Sequence, residues 1–257
     1  MVSMAAWLGA LTIGLVIGLM GSGGSIVTVP VLVYLVDRPD KIAIAESLAI
    51  VGGIAFIGGV MAAINRRVHA RSVVLFGVPG IAATYGGAWL ASFVSGATQL
   101  VVFAVVLLLA ARFMLRRRAV ETPAWMGQTD SALSLGTQGS AVGIVTGFVG
   151  VGGGFLIVPA LVLLGRLPMP VAVGTSLCII ALNSFAGFWK YHQVLEDAGL
   201  RLDWYVIRSF IIVGAIGSVG GSLISSHIPQ ARLQRAFAVF LAVMGVFILW
   251  QKLRRGL

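Results

Sequence analysis

What most constrains this chain is a succession of apolar segments too long and too closely spaced for a water-soluble fold. They run at about 5–36, 42–64, 72–94, 98–115, 133–165, 169–190, 204–226 and 231–250. Each reaches the roughly 18 residues at which an uncharged stretch reads as a membrane helix. Only 10% of the 257 residues are charged, 59% are hydrophobic and the mean hydropathy is +1.03, whereas soluble domains carry about 25% charged residues. An all-α polytopic membrane protein of about eight hydrophobic helical segments is predicted, with the lipid bilayer as its main partner and loops too short to hold a soluble domain.

The net charge of +10 comes from short basic clusters beside apolar segments. That is the pattern of topology determinants and anionic-lipid contact, and it argues against nucleic acid as a partner. The single cysteine, Cys178, lies inside an apolar run, so no disulfide framework exists. Met1 to Trp7 carry no Lys or Arg and no small-residue cleavage site follows, so the first segment is expected to stay in the protein.

Sliding the sequence on itself reveals a duplication. At an offset of 129, Gly14, Gly18, Gly21, Gly23, Gly24 and Pro30 fall on Gly143, Gly147, Gly150, Gly152, Gly153 and Pro159, and half of positions 14–35 are identical. The register continues through Ser47 on Ser176 to Gly58 on Gly187. It then slips by five, pairing Gly80, Gly86, Gly87 and Ser92 with Gly214, Gly220, Gly221 and Ser226. We therefore read 1–118 as a first four-segment membrane repeat, 119–132 as a cytoplasmic linker and 133–257 as a second repeat. Arg66, Arg67 and Arg71, with Arg116 to Arg118, are expected on the cytoplasmic side. Lys252, Arg254 and Arg255 suggest a cytoplasmic C-terminus too, although Arg166, Arg232 and Arg235 favour the opposite arrangement.

The first segment of each repeat is about 32 residues, near 48 Å as continuous helix against a hydrocarbon core of about 30 Å. At its centre stands a glycine cluster, Gly21-Ser22-Gly23-Gly24-Ser25 or Gly150-Val151-Gly152-Gly153-Gly154. Glycine costs about 1 kcal/mol relative to alanine inside a helix, so each segment is expected to break there. Unwound backbone at membrane depth survives only against protein or a wet cavity, and paired breaks in two repeats point to a transporter's binding site. Free N–H groups at the start of the second half-helix would attract an anion. Gly21, Ser22, Gly23, Gly24, Ser25, Gly150, Gly152, Gly153 and Gly154 are thus candidate substrate contacts. Two chain paths stay open: each broken segment crosses, giving eight spans and parallel repeats, or it turns back, giving three full crossings per repeat and inverted halves.

Glu46 is the one acidic residue set inside an apolar run. An intramembrane carboxylate is costly and marks a functional candidate, here for proton coupling; the plainer alternative is an interfacial pair with Lys41 or Arg38. The duplication sets Glu46-Ser47 on Thr175-Ser176, so Ser47, Thr175 and Ser176 are candidate ligand contacts at matching depth, against the ordinary reading that each bonds its own helix carbonyl. Asn183 is a further candidate. Lys190, Tyr191 and His192 read as an interfacial anchor, and Cys178 as a packing residue. Scattered histidines and one cysteine supply no metal set, no catalytic motif is present and no cofactor is expected.

The run Gly18-Leu19-Met20-Gly21-Ser22-Gly23-Gly24-Ser25 with Pro30, its second copy from Gly147 to Gly154 with Pro159, and Gly174-Thr175-Ser176-Leu177 together resemble the sulfite exporter TauE/SafE family over essentially the whole chain. The resemblance implies a multi-pass inner-membrane permease for a small anionic substrate, sulfite or an organosulfonate, held between the two broken helices. Glu46 departs from the plainer Thr-Ser pattern, and an ionised carboxylate there would repel an anion. A non-transporting membrane partner or assembly factor of a sulfur-metabolism system is the alternative, which such short loops disfavour. Whether the chain forms a homodimer is left open by its sequence.

Overall fold

The computed structural model describes residues 4–21, 24–116, 132–149, 154–163, 165, 167–225 and 228–254. Ser22, Gly23, Gly150, Gly152, Gly153 and nearly all of the 119–132 linker lie outside the described residues. The helices are α1 (Met4–Met20), α2 (Gly24–Tyr34), α3 (Asp40–Ile64), α4 (Ala70–Ser92), α5 (Gly96–Arg116), α6 (Ala132–Val149), α7 (Gly154–Leu163), α8 (Met169–Asp197), α9 (Trp204–Ser225) and α10 (Gln230–Arg254). No strand occurs among the described residues. Six helices, α3, α4, α5, α8, α9 and α10, are long and apolar enough to cross a membrane. The stretches 5–36 and 133–165 each hold two shorter helices, so the described residues form ten helices where eight segments, the first of each repeat broken, were expected.

Close approaches between glycines and neighbouring backbone fix the helix directions. A Cβ at Gly9 in α1 would lie 2.9 Å from Val31 and 3.6 Å from Leu35, so α2 folds back antiparallel on α1 and the first segment forms a hairpin. In α3 and α8, Gly59 meets Cys178, Gly52 meets Ser184, and Gly187 meets Leu48; these helices are antiparallel. α1 runs parallel to α9, with Gly14 against Gly214 and Gly18 against Ser218, and α6 runs parallel to α4, with Gly139 against Phe76 and Gly147 against Thr84. The hairpin ends short of the helix it lies on: Gly18 faces Ser218 while α9 continues to Ser225.

The packing is reciprocal. α1 lies on α9 and α6 on α4; α3 touches α9 as α8 touches α4; α3 pairs with α8, and α5 with α10. The turns repeat as well. Before α3, the N–H groups of Val36 and Arg38 donate to Val31 and Leu32 (3.1 and 2.9 Å), and before α8 those of Gly165 and Leu167 donate to Ala160 and Leu161 (both 3.0 Å). Pro39 and Pro168 then precede the helices with nearly identical backbone angles.

One end of the bundle carries Asn65 to Arg71 and the end of α5; the other carries the start of α3, the start of α9 and the end of α10. Lys252 in α10 bonds Asp40 in α3 at 2.6 Å, and Gly96, opening α5, packs on Asp40. The C-terminal helix therefore ends opposite the Arg66, Arg67 and Arg116 end. A C-terminus on the same side as these clusters, as its own basic residues suggested, does not fit this path.

The outer surface is as apolar as the interior. Val239, Val243, Val246 and Leu253 form an exposed stripe on α10, as do Ile212, Ile216 and Leu223 on α9. Exposed Trp89, Trp189, Trp204 and Trp250 ring the end that carries Asp40 and Asp203, where amphipathic aromatics meet headgroups. The protein is a multi-pass membrane protein.

Candidate functional site

A cavity of about 440 Å³ opens at the Arg67 end of the bundle. α1 contributes Gly18; α3 contributes Gly58, Met61, Ala62 and, past its end, Asn65 and Arg67; the first turns of α8 contribute Pro170, Val173 and Gly174; α9 contributes Ser218 and Ser222. Small residues leave this space. A Cβ on Gly58, one turn before Ala62, would lie 3.2 Å from Leu177 and 3.6 Å from the Ser218 hydroxyl. Among the described residues no carboxylate lines it, and Arg67 is the one formal charge in the lining. α2 and α8 begin near this level while α3 and α9 end there, so helix dipoles largely offset one another. Arg67 sets the sign.

Gly21 ends α1 with φ +71, a left-handed conformation suited to glycine, and its N–H donates to Ile17 at 2.7 Å. It packs on Val173. Ser176, one residue beyond Thr175, donates to the Val173 carbonyl at 2.8 Å and lies 3.4 Å from the Gly21 carbonyl. Its counterpart Ser47 donates to Ile44 at 2.8 Å. Both are fully buried. Gly24 and Gly154 open α2 and α7, and Ser25 follows in α2.

Thr175 and Glu46 occupy equivalent places at opposite ends of the molecule. The backbone N–H of His69, capping α4, donates to Thr175 Oγ1 at 2.9 Å; the backbone N–H of Asp203, just before α9, donates to Glu46 Oε1 at 2.9 Å. Each side chain therefore satisfies an orphan donor at the start of a helix in the other half. Glu46 Oε2 also lies 3.5 Å from Arg38 Nε, and Arg38 pairs in turn with Asp203. Asp203 caps α9 by accepting the Tyr205 and Val206 N–H groups at 3.0 and 3.2 Å. Burial pushes the Asp203 carboxyl up, but the bonds from Val206, Arg38 and Tyr205 outweigh it and hold it below its ordinary value. Lys41, the other partner considered for Glu46, bonds the Ala91 carbonyl at 2.7 Å instead.

Asn183 is fully buried between α8 and α4, beside Gly80, and neither side-chain atom has a hydrogen-bond partner among the described residues. Thr84 Oγ1, also buried, has none either. Tyr191 is not an interfacial anchor. Trp189 and Lys190 do face outward, with Lys190 5.4 Å from the Tyr85 ring. The 100° step per residue turns Tyr191 inward, where it is 1% exposed and accepts a bond from Gln99 Nε2 at 2.6 Å. Arg67, Asn65, Ser218, Gln99 and Thr84 were all missed from sequence. The available signal was the second register, which sets Thr84 on Ser218 in the same glycine-rich pattern. No cluster of three or more His, Cys, Asp or Glu suited to a metal occurs among the described residues.

The model of the family described as sulfite exporter TauE/SafE matches residues 6–248. The chain belongs to the sulfite exporter TauE/SafE family. It is 30% identical to a probable membrane transporter protein of Xylella fastidiosa strain 9a5c over 244 residues, covering 93% of this chain and 92% of the relative. A probable membrane transporter protein of Methanocaldococcus jannaschii is 24% identical over 255 residues, with 92% and 93% covered. One from Bacillus subtilis is 26% identical over 269 residues, with 93% and 96% covered. No solved structure matches. This TauE/SafE member is thus a membrane transporter by family and by its relatives' names.

Proposed function

We propose that this TauE/SafE protein is a secondary exporter of a small anion, sulfite or an organosulfonate, working by alternating access of two inverted repeats in the cell's inner membrane. The cavity at Arg67 carries this reading. It is polar where Asn65, Ser218 and Ser222 line it, positive at Arg67 and, among the described residues, free of carboxylates. At about 30 Å³ per water, 440 Å³ holds a small oxyanion with much of its hydration shell. The residues proposed to contact the substrate are those of the two glycine clusters, Gly21–Ser25 and Gly150–Gly154, with Ser47, Thr175, Ser176 and Asn183.

The reciprocal helix packing and repeated turns support two homologous halves, residues 1–118 and 133–257 about a 119–132 linker. The antiparallel α3 and α8 support an inverted relation between these halves, the arrangement that lets one sequence pattern build two opposed access paths. Arg66, Arg67, Arg71 and Arg116 cluster at the cavity end, and the positive-inside tendency makes that end cytoplasmic. The cavity then receives the anion from the cytoplasm. Export needs no ATPase, because an anion leaving a cell negative inside gains about 2.3 kcal/mol per charge at 100 mV.

Uptake of labelled sulfite by inside-out vesicles tests this. Vesicles with the wild-type protein are expected to accumulate sulfite well above empty membranes, and Arg67→Gln to lower the rate at least fivefold. Glu46→Gln, assayed with and without an imposed pH gradient, asks whether this carboxylate couples protons: loss confined to the gradient-driven condition assigns it that role. Wild-type vesicles indistinguishable from empty ones for sulfite and for a panel of organosulfonates would overturn the reading.

A further inference from the structure

The space that is open on one side of the molecule has a filled counterpart on the other. Along α3, Ile54, Gly58 and Ala62 follow one another at helical turns; along α8 the same places hold Asn183, Gly187 and Tyr191. Their surroundings match residue for residue. Ile54 and Asn183 press on Gly214 and Gly80; Gly58 faces Leu177 and Ser218, and a Cβ on Gly187 would lie 3.4 and 3.3 Å from Leu48 and Thr84. In the first seam, between α1, α3 and α9, Ala62 and Gly18 border the open cavity. In the second, between α4, α6 and α8, the Tyr191 side chain reaches the counterpart of Gly18, its hydroxyl shared between the Gly147 and Phe148 carbonyls at 3.3 and 3.2 Å.

Polar groups without a partner among the described residues lie behind this ring. Asn183 is fully buried with its amide nitrogen and oxygen both unpartnered there, Thr84 Oγ1 is buried and unpartnered, and so is the Gln99 amide oxygen. Leaving such groups buried and dry is costly, and in a native protein each calls for a water, an ion or a ligand in some state of the molecule. Together they form a polar track up the face of α8. The latch across its mouth is weak: 3.2 to 3.3 Å is long for a hydroxyl bond, normally about 2.7–2.8 Å, although Gln99 Nε2 holds the Tyr191 oxygen at 2.6 Å and the Phe148 carbonyl at 2.7 Å.

We propose that the α4–α6–α8 seam is a second, occluded route for a small hydrated anion, lined by Asn183 and Thr84 and shut by Tyr191 under a Gln99 latch. Resting on the exporter reading above, it assigns the exit side of the same transport path. Rotation of Tyr191 away from Gly147 would leave the Asn183 amide, the Thr84 hydroxyl and water along a channel that mirrors the Arg67 cavity.

Side-specific cysteine labelling tests the gate without knowing the substrate. In a Cys178→Ser background, Ser218→Cys is expected to react with a membrane-impermeant maleimide from the Arg67 face, and Thr84→Cys to stay unreactive from both faces. Adding Tyr191→Ala, or the gentler Tyr191→Phe and Gln99→Leu, should raise Thr84→Cys labelling at least tenfold, and only from the face bearing Trp204. Thr84→Cys that stays inert in all three folded variants, while Ser218→Cys labels normally, overturns the gate. Labelling that fits the gate in a protein that moves no sulfite or organosulfonate would keep the route and reject the substrate class.

Discussion

The two seams share a backbone and differ in side chains. Gly14 and Gly18 let α1 lie against α9 as Gly143 and Gly147 let α6 lie against α4, and at Gly18 and Gly147 alike a Cβ would run into a neighbouring carbonyl. Yet one seam holds a cavity of about 440 Å³ and the other a buried tyrosine. Close helix approach therefore belongs to the glycines, and open or closed belongs to one position, Ala62 against Tyr191. An inverted pair of seams can be built on one pattern and still rest in an asymmetric state.

Breaking the shared part should cost most. Gly18→Ala and Gly147→Ala each drive a methyl into backbone that cannot yield, at or above the about 1–3 kcal/mol of ordinary overpacking, and both should lower the melting temperature in detergent by similar amounts. Gly220→Ala is the control: nothing lies within 4 Å of its added Cβ, so the helix should gain up to about 1 kcal/mol. Equal tolerance of all three would sever the glycines from the packing.

Filling the open seam comes next. Ala62→Tyr places in the cavity the side chain its counterpart already holds; sulfite uptake should fall at least tenfold while the melting temperature stays close to that of wild type. Unchanged uptake would mean that the path does not run past Ala62.

Glu46 and Thr175 give a finer comparison. Thr175→Ala orphans the His69 N–H and should cost about 1 kcal/mol. Glu46→Ala orphans the Asp203 N–H and also strips Arg38 of a partner, so about 2 kcal/mol is expected, less than the about 3–5 kcal/mol of a broken buried pair because Arg38 keeps Asp203. Glu46→Thr should recover most of the difference by restoring an acceptor. Chemical denaturation of the three variants checks the order.

The smallest effect is a pH dependence. The folded Asp203 carboxyl sits below its ordinary value, so its contribution is complete above the unfolded value of about 3.9 and is lost as pH falls through the lower, folded value. Its side chain is 39% exposed, which keeps the contribution small. Melting curves from pH 6 downward should fall slightly more steeply in wild type than in Asp203→Asn.

Sequence carried the long crossings, since 20-residue apolar runs have few alternatives. It did not carry the return path of the first segments, because whether α2 runs on or turns back depends on Gly9 meeting Val31 and on partners in the other half. Glu46 was legible as an exception, but its use was not: the acceptor it offers goes to a helix start 157 positions away. Tyr191 was misread because neighbours in sequence, Trp189 and Lys190, do face the interface. Its place in the spacing Asn183, Gly187, Tyr191 is what assigns it to an interior face.

The exchange of helices between halves also bears on how the chain is made. α1 docks on α9, so the α1–α2 hairpin leaves the ribosome well before its main partner is synthesised. At about 5–20 residues per second it waits for tens of seconds, an exposed pair of short apolar helices held by lipid and by limited contact with α3 and α7. α6, by contrast, finds α4 already in place. The N-terminal hairpin is therefore the last part of the first half to gain its native contacts, and the point at which assembly of the newborn protein is most open to error.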